Sequence, residues 1–568
     1  MNAFIVMALV LAWFYAGYRF YGTWVERNLV KPDDARPTPA YEFEDGVDYS
    51  PAKVSFLWGH HFSSIAGAGP IIGPILATAW FGWASAILWI AIGCVFIGAV
   101  HDYLSLMLSV RHQGRGISEV AGDTLGNVTR LSFGILIWIT LVFIIAVFAV
   151  SAANALANMP ELVIPTFGVC FVAVLLGLAV YKLKINAVLA SIGAVFLSYF
   201  LIYVGYNYPI ALDGWSHASK VMLYLNLLMG YCLIASMLPV WVLLQPRDFI
   251  SSVKLFVGLF LGLLGVLAAR PDFTAPAFIT GSDKPMWPIM FITLACGAVS
   301  GFHCLVGTGT TSKQLDKESH GKVVGYGGMI MEGVLAALVV VVVGAGLKWG
   351  QAPAGEAAGL YFASSLEQGW IVAFSNGFGA IVGDAGLPFL SAAVAALLGG
   401  VMVKTFVMTS LDTSTRLGRF IFMETLFSSV KFLRRTFVAT MGTLAPAYYL
   451  AATGNWKNIW KLFGASNQLI AAISLLVITA WLAQRRRAIA PVIFPALFMV
   501  ATTIGALGWS VFNKNGYLGA GPGHDLMLGV ISLALIALAL VIACSAAFSL
   551  LKDKGAEKRR ETDSEASA

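Results

Sequence analysis

Residues 59–74, GHHFSSIAGAGPIIGP, set two adjacent imidazoles, His60 and His61, beside the hydroxyls of Ser63 and Ser64 and ahead of Gly67, Gly69, Pro70, Gly73 and Pro74. Imidazole changes charge near physiological pH, so it suits the carriage of a proton or the holding of an anion. The glycines permit close approach and unusual dihedrals, and each proline removes a backbone donor. A helix opened in this way presents free amides and half-helix dipoles to a carboxylate or an ion. The plainer alternative is a proline-kinked helix packed through small residues. Paired histidines with three glycines and two prolines in one span favour the site.

Residues 296–314, CGAVSGFHCLVGTGTTSKQ, repeat the ingredients. His303 precedes Gly309 by the spacing that separates His61 from Gly67, and Thr308, Thr310 and Thr311 add hydroxyls. Ionisable groups inside apolar stretches are expensive and therefore suspect. His101 and Asp102 are such a pair, with a position at the membrane interface as the alternative. Glu332, flanked by glycines in GYGGMIMEG, suits a carboxylate that binds and releases a proton, or one paired with a neighbouring base. In TSLDTSTRLGRF, Asp412 and Arg416 are four apart, which fits a gate ion pair, while the hydroxyls around them also fit a capping array. Asn467 and Gln468 read as amides that bond across helices.

These residues need a frame, and the composition supplies it. Of 568 residues 58% are hydrophobic and 11% charged, a balance that fits a polytopic membrane protein and no soluble enzyme. Apolar windows of spanning length run from 3–23 and 55–78 to 524–550, about fifteen in all, including 288–311 and a short one at 436–451; 370–386 is a candidate re-entrant segment. The net charge of +7 lies in short connections rather than on one face, so it reports topology and makes no case for nucleic acid. With the basic tail inside, the connections carrying Arg111 and Arg115, Lys182 and Lys184, Arg247, Lys313 and Lys317, Arg416 and Arg419, and 485–487 all fall on the cytoplasmic side, and the N-terminus falls outside. Six cysteines in apolar windows, without CxxC spacing, argue against disulfides and structural zinc. The chain divides into a first helix and its connection (1–54), a core with broken helices (55–409), C-terminal membrane helices (410–551) and a polar tail (552–568) expected to be disordered. In this topology the spans at 55–78 and 288–311 run in opposite senses, as matching broken helices of inverted repeats do; the span at 221–241, broken at Pro239, is a second candidate mate.

GHHFSSIAGAGPIIGP, ASMLPVWVLLQPRDF, SGFHCLVGTGTT, GYGGMIMEG, TSLDTSTRLGRF and FGASNQLIAA, in this order across nearly the whole chain, resemble the signature blocks of the carbon starvation protein A (CstA) family. The resemblance implies an all-α inner-membrane transporter whose core of inverted repeats is like that of the amino acid-polyamine-organocation carriers. It implies uptake of pyruvate or short peptides when nutrients run low, coupled to protons, and no cofactor beyond the proton gradient. On this reading His60, His61, Ser63, Ser64, Gly67, Gly69, His303, Thr308 and Thr310 bind the solute, His61, Glu332 and Asp102 handle the proton, and Asp412 with Arg416 forms a gate. Rival readings are an uncoupled channel and a metal site built from His60, His61, His101, Asp102 and His303. An intramembrane enzyme finds no HExxH, GxSxG or nucleotide-loop motif.

Overall fold

A computed structural model describes residues 1–566 except 47, 240, 387–389, 454 and 455, with the backbone alone for 456–458 and 549–566. Among the described residues the chain is helical throughout, and its extended pairing is confined to isolated bridges. The site is carried by α1 (Val54–Ile65), α2 (Gly69–Phe81), α3 (Trp83–Val110), α4 (Asn127–Asn158), α5 (His217–Met237), α6 (Leu244–Ala269), α7 (Gly301–Gly309), α8 (Glu318–Ala345), α9 (Ala392–Leu426) and α10 (Ile459–Gln484). Helix α10 lies at the centre, with its most apolar stretch wholly buried, whereas Ala187–Asn207 is buried over 17% of its stretch and turns Phe196, Phe200 and Tyr203 outward as a lipid-facing helix would.

Among the described residues twelve helices are long and apolar enough to cross a membrane, thirteen when α1 and α2 count as one bent span. The expected fifteen is not reached. Residues 288–311 are cut into short pieces, among them Phe291–Thr293, Ala295–Ala298 and α7, and Thr436–Thr453 is an 18-residue helix diluted by Thr440, Thr443 and Pro446. Several helices also outrun the expected bounds. The first continues to Val30, α6 begins at Leu244, and α9 continues to Leu426, so Arg247, Asp412 and Arg416 belong to helices rather than connections. The segment at 370–386 forms the 15-residue helix Trp370–Asp384, packed on α9 through Gly379 and Gly383. The tail expected to be disordered continues the last helix, Leu526–Ala566, in keeping with its Lys, Glu, Arg and Ala content.

Two breaks organise the core. Between α1 and α2 the axis bends by 47°, because Pro70 has no N–H to return to the carbonyl of Ala66 and Ala66 itself leaves the helical region at ψ 67°. The second lies at Val299 and Ser300, both extended, immediately before α7. The broken spans lie side by side and antiparallel. Ala52 bridges to Leu315, the His61 ring meets Thr311, Gly69 packs on Cys296, Gly73 on Thr293, and Ile279 N–H donates to Phe81 O. That register is the opposed sense expected from the sequence, and it puts both breaks at the same depth.

In a bilayer, amides freed by a break need internal partners. Asn467 of α10 provides them at the second break: its Oδ1 accepts from Phe302 N at 2.8 Å, and its Nδ2 donates to Ser300 Oγ at 3.1 Å and Cys296 Sγ at 3.2 Å. The side chain fits because Gly301 passes so close to α10 that a Cβ there would stand 2.2 Å from Asn467 O. Gly301→Ala is therefore expected to destabilise the protein by about 1–3 kcal/mol through overpacking, read as a lower melting temperature in detergent. Gly508→Ala, where a Cβ meets open space, is the control and is expected to leave the melt unchanged; an unshifted Gly301→Ala melt would contradict the packing described.

Candidate solute cavity and buried proton relay

A cavity of about 1020 Å³ opens at one end of the bundle, between α1, α6, α7 and α9. Its walls include Asp48 and Tyr49, Arg115 to Glu119, Gln245, Lys313 and Glu424, drawn from the connections and helix ends assigned above to the cytoplasmic side. The N-terminal residues meet the opposite end, where Ala3 N–H donates to Pro271 O and Asn2 pairs with Asp272. The cavity lining carries both signs: Arg115, Lys313 and Arg416 against Asp48, Glu119, Asp248 and Glu424. Apolar patches from Phe56, Phe249, Phe256 and Phe420 separate them, so the space suits a small solute with charged ends and an apolar body.

Of the residues expected to bind solute, His60, Ser64, Thr308 and Thr310 line this cavity. His61, Ser63, Gly67, Gly69 and His303 do not. Ser63 and Ser64 both donate to the carbonyl of His60, at 3.0 and 2.8 Å, which ties the hydroxyls to their own helix. Gly67 and Gly69 serve close packing, since a Cβ would stand 2.5 Å from Ser410 Oγ and 2.3 Å from Cys296 Sγ respectively. The opened backbone between α1 and α2 is thus enclosed by protein rather than presented to the cavity.

Behind the cavity wall, α3, α7 and α8 bring a row of ionisable side chains together, each at most 2% exposed. Asp102 is held by two imidazoles: His101 Nδ1 is 2.7 Å from its Oδ1 and His303 Nδ1 is 2.7 Å from its Oδ2. The other ring nitrogen of His303, Nε2, lies 3.0 Å from Glu332 Oε2. That contact has ion-pair distance without hydrogen-bond alignment, and neither Glu332 oxygen has another partner among the described residues. With Nδ1 donating to Asp102, one more proton belongs between Nε2 and Glu332, on whichever atom holds it. His61 extends the row toward the cavity. Its Nδ1 meets Thr311 Oγ1 at 2.8 Å, its ring packs on Gly328 one turn before Glu332, and its chain neighbour His60 and the neighbour of Thr311, Thr310, both line the cavity. Sequence reasoning grouped His61, Glu332 and Asp102 around the proton and placed His303 with the solute; the fold puts His303 between Asp102 and Glu332, with His61 bonded to Thr311 beside them.

A second buried network corrects the expected gate. Asp412 does not pair with Arg416. Its carboxylate is bonded by Arg247 Nη1 and, at 3.1 Å, by Nη2, and it accepts from Tyr231 Oη at 2.7 Å, which ties α9 to α6 and α5. Arg247, 1% exposed, also donates from Nη2 to Asp248 Oδ1 at 2.7 Å, and Asp248 reaches the cavity. Arg247 went unnoticed because it was assigned to a connection; an Arg-Asp pair within a helix whose next residues are apolar was the available signal. Lys404, buried on α9, donates to Ala152 O of α4 at 3.1 Å. Among the described residues no group of three or more His, Cys, Asp or Glu side chains is arranged to hold a metal ion.

The family model for carbon starvation protein CstA matches residues 2–359 and 355–506. The chain is 32% identical to the peptide transporter CstA of Bacillus subtilis (strain 168), covering 96% of both chains, and 31% identical to the pyruvate/proton symporter BtsT of Escherichia coli (strain K12), covering 90% of this chain and 82% of that one. A crystal structure of the Eremococcus coleocola manganese transporter aligns over 90% of this chain and 99% of its own at 12% identity, with a TM-score of 0.48. The match of the family model over most of the sequence, in a helical membrane architecture that holds all six sequence blocks, establishes that the chain belongs to the carbon starvation protein CstA family.

Proposed function

We propose that this protein is a proton-coupled secondary transporter of the bacterial inner membrane, importing short peptides under carbon starvation, with its C-terminus cytoplasmic and its N-terminus outside. The names borne by the relatives support transport of peptides or pyruvate, and the distribution of Lys and Arg supports the orientation. The lining of both signs supports a solute with an ammonium and a carboxylate over pyruvate, which carries only the latter. On this orientation the cavity faces the cytoplasm, as in the inward-open stage of an alternating-access cycle. No cofactor takes part; the proton gradient supplies the energy.

The observation that carries the proposal is the row Asp102, His303, Glu332, buried one helix behind the cavity. One proton gained or lost there changes the charge of a low-dielectric contact between α3, α7 and α8, where each unit charge interacts strongly. Helix α7 carries His303 into that contact and Thr308 into the cavity, so a shift of this short helix links the proton to the solute. Ions and peptide need not touch for the two to be coupled; the link is the differential stability of two arrangements.

In proteoliposomes with an inward proton gradient, labelled dialanine is expected to accumulate and a protonophore to abolish the accumulation. Glu332→Gln is expected to lose gradient-driven accumulation while retaining dialanine counterflow, since exchange requires no net proton movement. Gradient-driven accumulation by Glu332→Gln equal to that of the unaltered protein would contradict the assignment of the relay. An uptake that ignores the gradient in the unaltered protein would favour a facilitator.

The ion pair of the second network predicts a separate effect. Asp412→Asn leaves the buried Arg247 with a weaker partner, and breaking a buried pair costs about 3–5 kcal/mol. A marked fall in melting temperature is expected, larger than for Arg416→Gln, because Arg416 has no carboxylate partner among the described residues; equal melts would contradict the pairing.

A further inference from the structure

Helix α9 presents two polar faces. On one, Asp412 is bonded by Arg247 and Arg419 Nη1 donates to Ser236 O, so this face is fastened to α6 and α5. Directly beside it, Thr413, Arg416, Leu417 and Phe420, spaced three and four apart, line the cavity. The guanidinium of Arg416 makes one long contact, 3.4 Å from Nη1 to Leu238 O, and its carbon lies 5.8 Å from the centre of the Phe420 ring. Among the described residues no carboxylate stands within ion-pair distance of it. Of the other cavity cations, Arg115 bonds Asp123 at 2.5 Å, and Lys313, whose ammonium lies 5.1 Å from the centre of the Tyr49 ring, offers a point charge rather than a fork.

The geometry points to Arg416 as the anchor for the carboxylate of the transported solute, and for a short peptide that is its C-terminal carboxylate. Five N–H donors in a planar fork match a carboxylate two at a time, which an ammonium does not do. The fastened face of α9 and the ring of Phe420 hold the fork in place, so little ordering is left to the moment of binding. This assignment rests on the reading of the cavity as the solute site. It replaces the gate expected of Arg416 with a role in recognition, because the partner that a gate requires, Asp412, is taken by Arg247 and Tyr231.

The test compares dialanine with its C-terminal amide, binding to the purified full-length protein in nanodiscs measured by intrinsic tryptophan fluorescence. In the unaltered protein the amide is expected to bind about tenfold to a hundredfold more weakly, the loss typical of a hydrogen bond to a charged group. Arg416→Gln is expected to bind the free acid as weakly as the amide, and Arg416→Lys to recover part of the preference by charge alone. The ligand-free melt of each variant establishes that it is folded, and Arg416→Lys serves if Arg416→Gln is not. An unchanged acid-to-amide ratio in the folded Arg416 variants overturns the anchor, and if proton-driven uptake persists, the transport reading stands without it. A ratio lost with Arg416, in a protein whose uptake ignores the proton gradient, upholds the anchor and overturns the coupling. An unaltered protein that binds acid and amide alike overturns the anchor outright.

Discussion

Backbone hydrogen bonding in a bilayer is the constraint from which the rest of this structure follows. A helix broken inside hydrocarbon leaves amides and carbonyls that lipid does not satisfy. The chain breaks two spans nonetheless and lays them antiparallel, so that each break is closed by protein. Asn467 caps the start of α7 at one. At the other, Gly67 and Gly69 let α9 and Cys296 approach until no room is left. The breaks therefore serve to shorten and orient helices. Helix α7 spans only Gly301–Gly309, with extended backbone before it at Val299 and Ser300, so it is not tied into a continuous 30-residue helix.

What α7 carries explains why the arrangement is useful. One turn and a half separates His303, in the buried ionic row, from Thr308, at the cavity. Charges in the row are grouped as acids around a base, with Asp102 accepting from two rings and Glu332 left with its carboxylate aimed at His303 but not aligned. The second network works differently. Arg247, Asp412, Asp248 and Tyr231 form a set that joins three helices and sets its one guanidinium against two carboxylates, the mark of a fastening. The cavity thus lies between a wall that is bolted, α9 on α6, and a wall that is hung on a titratable contact, α7 on α3 and α8.

Much of this was legible in the residues, and the rest was hidden for identifiable reasons. Glycine and histidine at 59–74 and 296–314, with proline in the first, marked both broken spans, and the alternation of basic connections gave their opposed sense, although the span at 221–241 was also a candidate for the second. Asn467 was read as an amide bonding across helices and does so. The expectation that the opened backbone at Gly67 and Gly69 meets the solute did not survive the placement of those glycines against Ser410 and Cys296. Small residues serve close packing as readily as ligand access, and sequence alone does not distinguish the two. Asp412 and Arg416 fit an i to i+4 pair on paper, yet a cation from another helix reached Asp412, a long-range contact that local spacing does not encode. The overcount of spans has the same origin: hydropathy registers apolar residues at 288–311 but not the turns that cut them into pieces.

In the proposed coupling, solute binding in the cavity acts on a proton held between His303 and Glu332. Infrared difference spectroscopy of the reconstituted protein, recorded as dialanine is added, observes that proton directly. The expected result is a change in the protonated-carboxyl region that disappears in Glu332→Gln and persists in Arg416→Lys at saturating dialanine. A spectrum without a carboxyl change, or one that Glu332→Gln leaves intact, would contradict it.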